Sequence, residues 1–130
     1  MKKKLLLLIE DNPLLTGMYE TAFEKEGFEV ILAHDGKSGL LLAKDKKPDG
    51  ILLDLLMPGM DGYGVLKELK KEVSTKNIKV IVLTVVADKA ALERAEKAGA
   101  AECLIKSELK LSEIVDRAIS YFSPDLKEDK

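Results

Sequence analysis

The sequence predicts an α/β fold in which five parallel strands alternate with five helices, a (βα)5 arrangement with helices on both faces of the sheet. Two observations predict it. Short apolar runs alternate along the chain with longer segments of helical periodicity, and three of the runs are apolar on both faces. Such strands are expected where helices cover both sides of a parallel sheet, and the crossovers between them are expected to be right-handed.

The five apolar runs mark the predicted strands. They are Leu5–Ile9, Val30–Leu32 with its flanking residues, Ile51–Leu53, Val80–Leu83 and Glu102–Ile105. Each run is shorter than the helical segment that follows it, so one strand and one helix form a unit that repeats five times.

Capping residues and helical periodicity mark the predicted helices. Asn12 is a suitable N-cap, Pro13 suits the first helical position and Gly27 is a suitable stop. The predicted helices run from Pro13 to about Glu26, from just after Asp35-Gly36 to just before Pro48, from just after Asp61-Gly62, from Asp88 to Gly99, and over the periodic segment 111–122.

Apolar positions at helical spacing predict the buried faces of the last three helices. These positions are Val65, Leu66, Leu69 and Val73 in the third helix, Ala91, Ala95 and Ala98 in the fourth, and Leu111, Ile114, Val115, Ala118, Ile119 and Phe122 in the fifth. Ser107 or Ser112 is expected to cap the fifth helix.

Length and composition indicate one globular domain, at 1–122, followed by a polar tail at 123–130. A formal net charge of -2 over 130 residues gives no basic field for nucleic acid, so direct DNA binding is not expected. The apolar run after the N-terminal lysines is too short for a signal peptide, and no run is long enough to span a membrane. With Cys103 as its single cysteine, the chain is expected to be a reduced, cytoplasmic protein.

Four of the five predicted strands end in residues suited to handling a phosphoryl group. These residues are Glu10 with Asp11, Asp54, Thr84 and Lys106. Ligands of open parallel sheets bind at the carboxyl ends of the strands, and in a sheet of order 2-1-3-4-5 the first and third strands are neighbours there. The five side chains are therefore expected around one acidic pocket, whose carboxylates favour a hard cation such as Mg²⁺.

The segment after the first strand argues against a nucleotide or flavin phosphate site. Such a loop needs Gly, Ser or Thr so that backbone N–H groups can approach the phosphate, and this chain has EDNP instead. Its two carboxylates would repel phosphate unless a metal intervened. Two other polar residues have simpler interpretations, since Asp61 suits a helix cap and His34 follows the predicted second strand, away from the pocket.

The sequence resembles the receiver domain of bacterial two-component response regulators over about residues 4 to 122. The matching segments are LLLIEDNP, DLLMPGMDGYGVL, IVLTVVAD and AGAAECLIKS. The resemblance implies the flavodoxin-like sheet order 2-1-3-4-5 that chemotaxis regulators share. It also implies that Asp54 accepts a phosphoryl group from a histidine kinase or histidine phosphotransfer protein, and that the domain then acts on a downstream protein target.

The resemblance assigns roles to the remaining site residues. Mg²⁺, with Mn²⁺ as an alternative, would be held by Asp11, by Glu10 through water, by Asp54 and by the backbone carbonyl of Leu56. Lys106 and Thr84 would bind oxygens of the phosphoryl group. Within such a family the chain would be a regulatory phosphoacceptor that assists its own phosphorylation and dephosphorylation, and not a conventional enzyme.

The chain departs from the family pattern at three positions. Cys103 replaces an aromatic residue that commonly swings inward on activation, so the usual coupling to Thr84 is not expected. Ser107 stands where the family commonly has a proline that follows a cis peptide bond. A cis bond before a residue other than proline is costly, so the Lys106–Ser107 bond is expected to be either trans or a strained cis bond. Val85 replaces a smaller residue and is expected to narrow access to Asp54.

Leu56 and Val86 flank the inferred phosphoryl path, and neither side chain can orient a water molecule. This predicts slow self-hydrolysis of the acyl phosphate. Three alternatives to a stand-alone receiver stay open: a receiver fragment of a larger regulator or hybrid kinase, a metal-dependent hydrolase with an aspartyl nucleophile, and a pseudo-receiver. The hydrolase would need a general acid and a substrate cap, and the complete acidic set argues against the pseudo-receiver.

Overall fold

The computed structural model describes residues 3–55, 61–85 and 88–123, in which strands and helices alternate. The strands are β1 Lys4–Ile9, β2 Phe28–Ala33, β3 Gly50–Asp54, β4 Lys79–Thr84 and β5 Glu102–Ile105. The helices are α1 Pro13–Lys25, α2 Gly36–Lys46, α3 Gly62–Lys71, α4 Lys89–Lys97 and α5 Leu111–Phe122. The predicted succession of five strand-and-helix units is confirmed.

The five strands form one parallel sheet of order β2-β1-β3-β4-β5, as predicted. Because β1 and β3 are neighbours, Ile9 pairs with Leu53 and the residues that follow each strand emerge side by side. At the other side of β3, Asp54 pairs with Leu83 of β4. The sheet thus brings together chain segments that are far apart in sequence.

The core lies on both faces of the sheet because alternate residues of the central strands point to opposite sides. One face packs against α1 and α5, and its strand residues are Leu6, Leu8, Leu52, Ile81, Leu83 and Leu104. The other packs against α2, α3 and α4, and its strand residues are Leu7, Ile9, Ile51, Leu53, Val80 and Val82. All of these residues are buried, which confirms strands that are apolar on both faces.

Side-chain hydrogen bonds cap the first four helices and confirm the caps predicted at Asn12, Asp61 and Asp88. The Asn12 side chain accepts from the N–H of Leu14 at 3.0 Å, and the side chains of Asp35, Asp61 and Asp88 cap α2, α3 and α4 in the same way. Such caps satisfy backbone N–H groups that have no partner within the helix.

Two local predictions are wrong. Val73 does not belong to the buried face of α3, because that helix ends at Lys71, Glu72 is extended and the Val73 side chain is 81% exposed. Neither Ser107 nor Ser112 caps α5. The N-cap is Lys110, whose backbone N–H donates to the Glu113 carboxylate at 2.9 Å, so an acidic residue inside the first turn performs the capping.

Candidate functional site

Three carboxylates meet at the carboxyl ends of β1 and β3. Glu10 and Asp11 follow β1 directly and Asp54 is the last residue of β3. One carboxylate oxygen from each of the three lies within 4.8 Å of the others. The crossover connections, and not any local motif, produce this cluster, because only the parallel pairing of β1 with β3 aligns the two strand ends.

Lys106 reaches the carboxylate cluster from the end of β5. Its backbone N–H donates to the Thr84 carbonyl at 2.8 Å, which continues the pairing of β4 and β5 by one residue. Its ammonium lies 2.7 Å from Glu10 Oε1 and 3.4 Å from Asp54 Oδ2, and the side chain is only 13% exposed. One cation from the end of β5 therefore bridges carboxylates at the ends of two other strands.

Burial and crowding set the ionisation of the cluster. Burial raises the pKa of Glu10, and a hydrogen bond with Asp54 raises it further, while Lys106 opposes both effects. Burial alone would lower the pKa of Lys106, but its hydrogen bond to Glu10 and the charge of Asp54 outweigh burial and raise it. Because one ammonium faces three acidic groups, the pocket favours a further cation.

Glu10 and Asp11 have different environments. The Glu10 side chain is 1% exposed; one of its oxygens accepts from Lys106, and the other accepts from the Asn12 N–H at 3.3 Å. Asp11 is half-buried, and no residue in the described ranges hydrogen-bonds or pairs with its carboxylate. Asp11 is thus the more accessible of the two carboxylates, and its predicted role as a direct metal ligand stays a prediction.

Thr84 is the last residue of β4, which lies between β3 and β5 in the sheet. It is 1% exposed and pairs with Ile105 of β5. It also lines a cavity of about 360 Å³ that extends between α3 and α4, where Tyr63, Asp88 and Arg94 form part of the wall. Thr84 therefore lies at the same edge of the sheet as the acidic pocket and also borders the space beside α4.

The response regulator receiver domain family matches this chain over residues 6–119. The chain belongs to this family. Receiver domains of this kind are regulatory modules of two-component systems and not enzymes. The resemblance noted in the sequence is therefore confirmed, and so is the order of the strands that it implied.

Relatives of this receiver domain include longer regulators. It is 39% identical over 88 residues to the probable transcriptional regulator ycf27 of Porphyridium aerugineum, an alignment that covers 68% of this chain. The alignment covers 35% of that relative, so the chain spans about a third of its length. In the described residues of this receiver domain, none of the helices combines the length and the apolar character that a membrane span requires.

Solved receiver structures share the fold. A putative response regulator from Chloroflexus aurantiacus is 30% identical, with a TM-score of 0.86 over 94% of this chain and 99% of that one. The receiver domain of sensor histidine kinase PA1611 from Pseudomonas aeruginosa is 27% identical, with a TM-score of 0.83 over 93% of this chain and 98% of that one. That structure holds a magnesium ion coordinated in its active-site cleft.

Gly62 shapes the receiver domain's site, although its sequence context suggested only a turn. Its N–H donates to the Leu55 carbonyl at 3.0 Å. A Cβ at this position would lie 2.9 Å from the Asp54 carbonyl oxygen and closer still to the Leu55 Cα. The start of α3 can therefore press against the end of β3 only with glycine there. The adjacent Asp61 acts as the predicted cap, since its Oδ1 accepts from the Gly64 N–H at 2.9 Å.

Some of the other predicted positions lie within the described residues and some lie outside them. His34 is exposed after the edge strand β2, and Val85 is 56% exposed. The peptide bond between Lys106 and Ser107 is trans, like every peptide bond in the described ranges. Leu56, Val86 and the tail residues 124–130 lie outside the described residues, so the predictions made for them stay predictions.

Cys103 is a half-buried free thiol on β5, packed against the core on the α2–α3–α4 face. Burial raises the pKa of this thiol to about 11, with smaller contributions from Glu96 and Glu102. The high pKa keeps the thiol protonated at neutral pH, which makes it weakly nucleophilic.

Proposed function

We propose that this receiver domain accepts a phosphoryl group on Asp54 from a histidine kinase or histidine phosphotransfer protein, with Mg²⁺, and thereby switches a protein-binding surface. The observation that supports it is the meeting of Glu10, Asp11 and Asp54 within 4.8 Å, with the Lys106 ammonium 3.4 Å from Asp54. An all-carboxylate cluster of this kind suits a hard, oxygen-preferring cation.

Asp54 is the nucleophile of the proposed reaction. One carboxylate oxygen attacks the phosphorus of a phosphohistidine, a P–O bond forms, the P–N bond breaks and the electron pair returns to the imidazole ring. The product is an acyl phosphate on Asp54. Asp11 and Asp54, with Glu10 assisting, would hold Mg²⁺, which would neutralise charge on the transferred group.

Lys106 changes partner in the proposed reaction. Its ammonium now lies 2.7 Å from Glu10 and 3.4 Å from Asp54, so a short movement brings it to an oxygen of a phosphoryl group on Asp54. The Thr84 hydroxyl donates to another oxygen from the end of β4. After phosphorylation, Thr84 and Lys106 together stabilise the negative charge that the phosphoryl group brings.

The output of the domain is expected to be a protein contact. The chain spans only part of its longer relatives, and within residues 1–122 the proposed domain has no basic field for DNA. The signal would be received by a downstream protein or, if this receiver is part of a larger regulator or hybrid kinase, by another domain of that protein. A cytoplasmic location is part of the same proposal, because kinases of this class donate their phosphoryl groups there.

Acetyl phosphate tests the proposal without a partner. The protein is incubated with acetyl phosphate and Mg²⁺, and intact mass is measured for wild type and for Asp54→Asn. We expect one phosphoryl adduct on wild type, none on Asp54→Asn and none when EDTA replaces Mg²⁺. The matched control is Asp45→Asn, which alters a side chain that is 73% exposed near the C-terminal end of α2.

The same measurement follows the adduct over time. A lifetime well beyond seconds in Mg²⁺ is expected from the apolar residues Leu56 and Val86. Unmodified wild type, or equal labelling of Asp54→Asn, would contradict phosphorylation of Asp54. Release of phosphate from small phosphoesters with turnover would instead favour the hydrolase alternative.

A further inference from the structure

Helix α4 is the most thinly packed helix of the described residues. Only Ala95 is fully buried among its nine residues. For comparison, α5 buries five side chains against the sheet. Because little apolar surface holds α4 in place, a small number of specific contacts must determine where it lies.

Tyr63 of α3 makes two of those contacts. Its hydroxyl donates a hydrogen bond of 3.0 Å to the Ala91 carbonyl in α4. Its ring lies beneath the Arg94 guanidinium, which is 3.9 Å from the ring centroid and one turn further along α4. A single side chain thus ties two successive turns of α4 to α3.

Tyr63 and Cys103 of β5 pack against the same half of the core. Burial raises the pKa of Tyr63, Arg94 opposes this, and Cys103 raises it further. The Cys103 thiol is half-buried, and α4 packs beside the strand that carries it.

The same ring borders the space beside Thr84. Tyr63 and Thr84 are on the wall of one cavity of about 360 Å³, together with Ala91 and Arg94. A cavity of that size leaves an aromatic ring room to turn. Any movement of Thr84 toward Asp54 would enlarge the space on the side that Tyr63 faces.

We propose that Tyr63 is a latch that holds α4 against α3, and that it opens when Thr84 moves toward a phosphoryl group on Asp54. The ring then turns into the enlarged cavity, the bond to Ala91 and the stack with Arg94 are lost together, and α4 is released. The opening step rests on the proposed function. The closed latch is a property of the unmodified protein and is tested separately.

Cys103 is a built-in reporter of the latch. Its alkylation rate follows the thiolate population, and a fall in pKa from about 11 to the ordinary value of 9.0 would raise that population about 100-fold. Partial opening of the latch should raise the rate of Cys103 alkylation about three- to tenfold. Iodoacetamide labelling of the full chain, followed by intact mass, measures the rate, and hydrogen exchange over residues 89–98 locates the change.

Two variants test the latch without phosphorylation. Tyr63→Phe removes only the hydroxyl, and Arg94→Met removes only the stacked charge, so each should speed both Cys103 alkylation and exchange in α4. The matched control is Tyr121→Phe, which removes the hydroxyl of a tyrosine on α5 that packs against the other face of the sheet. We expect the control to leave exchange in α4 unchanged. If both latch variants showed the same alkylation and exchange rates as wild type, the proposal would be overturned.

Acetyl phosphate with Mg²⁺ then tests the opening. Wild type that carries the phosphoryl adduct should show the faster alkylation and exchange, and Tyr63→Phe should gain less because its latch is already weakened. Adduct formation with unchanged rates in α4 would overturn the opening step while leaving the proposed function intact. Absence of the adduct would overturn the proposed function and with it the opening, whereas the Tyr63→Phe rates would still decide the closed latch.

Discussion

The acidic pocket and helix α4 differ in how firmly the protein holds them. In the pocket, Glu10 is 1% exposed and Asp54 is 5% exposed, and the Lys106 ammonium contacts both carboxylates. In α4, one alanine is buried and one tyrosine of α3 supplies the directional contacts. Transfer of a phosphoryl group needs atoms fixed in advance, whereas a change of surface needs an element that moves at low cost.

The difference has a physical origin in the strands. β1 and β3 lie in the middle of the sheet and are buried on both faces, so the residues at their ends inherit fixed positions. β5 is an edge strand of four residues, and α4 packs beside it. The acidic pocket therefore lies at the well-packed centre of the sheet, whereas α4, the helix proposed to respond to it, packs at an edge of the same sheet.

The largest effect is expected from removing the cation that holds the pocket together. Lys106→Met leaves the buried Glu10 carboxylate without its ion-pair partner, which typically costs roughly 3 kcal/mol. We expect the free energy of unfolding in urea to fall by about this amount without divalent ions, and Mg²⁺ to restore part of it.

Lys46→Met is the matched control for that change. Lys46 pairs with Asp45 at 3.8 Å, and both side chains are more than half exposed, so a change of at most about 0.5 kcal/mol is expected. If the two variants lost equal stability, the pocket would be no more firmly held than the surface, and the contrast with α4 would fail.

A smaller loss is expected where α3 touches the end of β3. Gly62→Ala places a methyl group against the Leu55 backbone and the Asp54 carbonyl, and overpacking of this kind costs about 2 kcal/mol. Because the strain acts on the residue proposed to be phosphorylated, we expect slower labelling by acetyl phosphate as well as a lower free energy of unfolding.

Gly64→Ala, two residues further along α3, provides the comparison. A Cβ there meets nothing closer than Asp61 Oδ1 at 3.9 Å, and alanine in a helix is favoured over glycine by about 0.5–1 kcal/mol. The two alanine variants should therefore change stability in opposite directions. Equal effects would mean that the close approach at Gly62 is not what supports Asp54.

Periodicity in the sequence predicted the succession of strands and helices, and the resemblance to receiver domains implied the strand order that brings the acidic cluster together. The boundaries of β5 and the capping role of Asn12 were predicted from their residues. What escaped prediction depends on contacts between elements. Val73 has the right spacing for α3, but the chain leaves the helix at Glu72, and no local pattern shows this.

Gly62 and Tyr63 show the same limit at the site. Asp-Gly before a helix predicts a cap, and it forms one, but only the packed structure shows that the glycine touches the end of β3. An aromatic residue in the first turn of α3 carries no signal that its hydroxyl reaches Ala91, 28 residues away. The proposed boundary at residue 122 and the metal role of Leu56 stay predictions.

The smallest expected effect concerns the pH dependence that the pocket gives to the whole protein. Burial and the neighbouring Asp54 raise the pKa of Glu10 above its ordinary value of 4.5. Between that value and its pKa in the folded state, the folded protein binds more protons than the unfolded chain. The contribution of Glu10 to the free energy of unfolding therefore falls as pH rises through this window.

Glu10→Gln isolates this contribution, because glutamine keeps the shape and the hydrogen-bonding oxygen but does not titrate. In EDTA, the stability of wild type relative to Glu10→Gln should decrease as the pH rises above 4.5, the ordinary pKa of the group, and urea unfolding measures it. Mg²⁺ should weaken this pH dependence, since a bound cation offsets the negative charge that Glu10 gains on ionisation. A relative stability that rises with pH in EDTA would show that Lys106 dominates the pocket even without metal, and the pocket would then be balanced in charge before any cation binds.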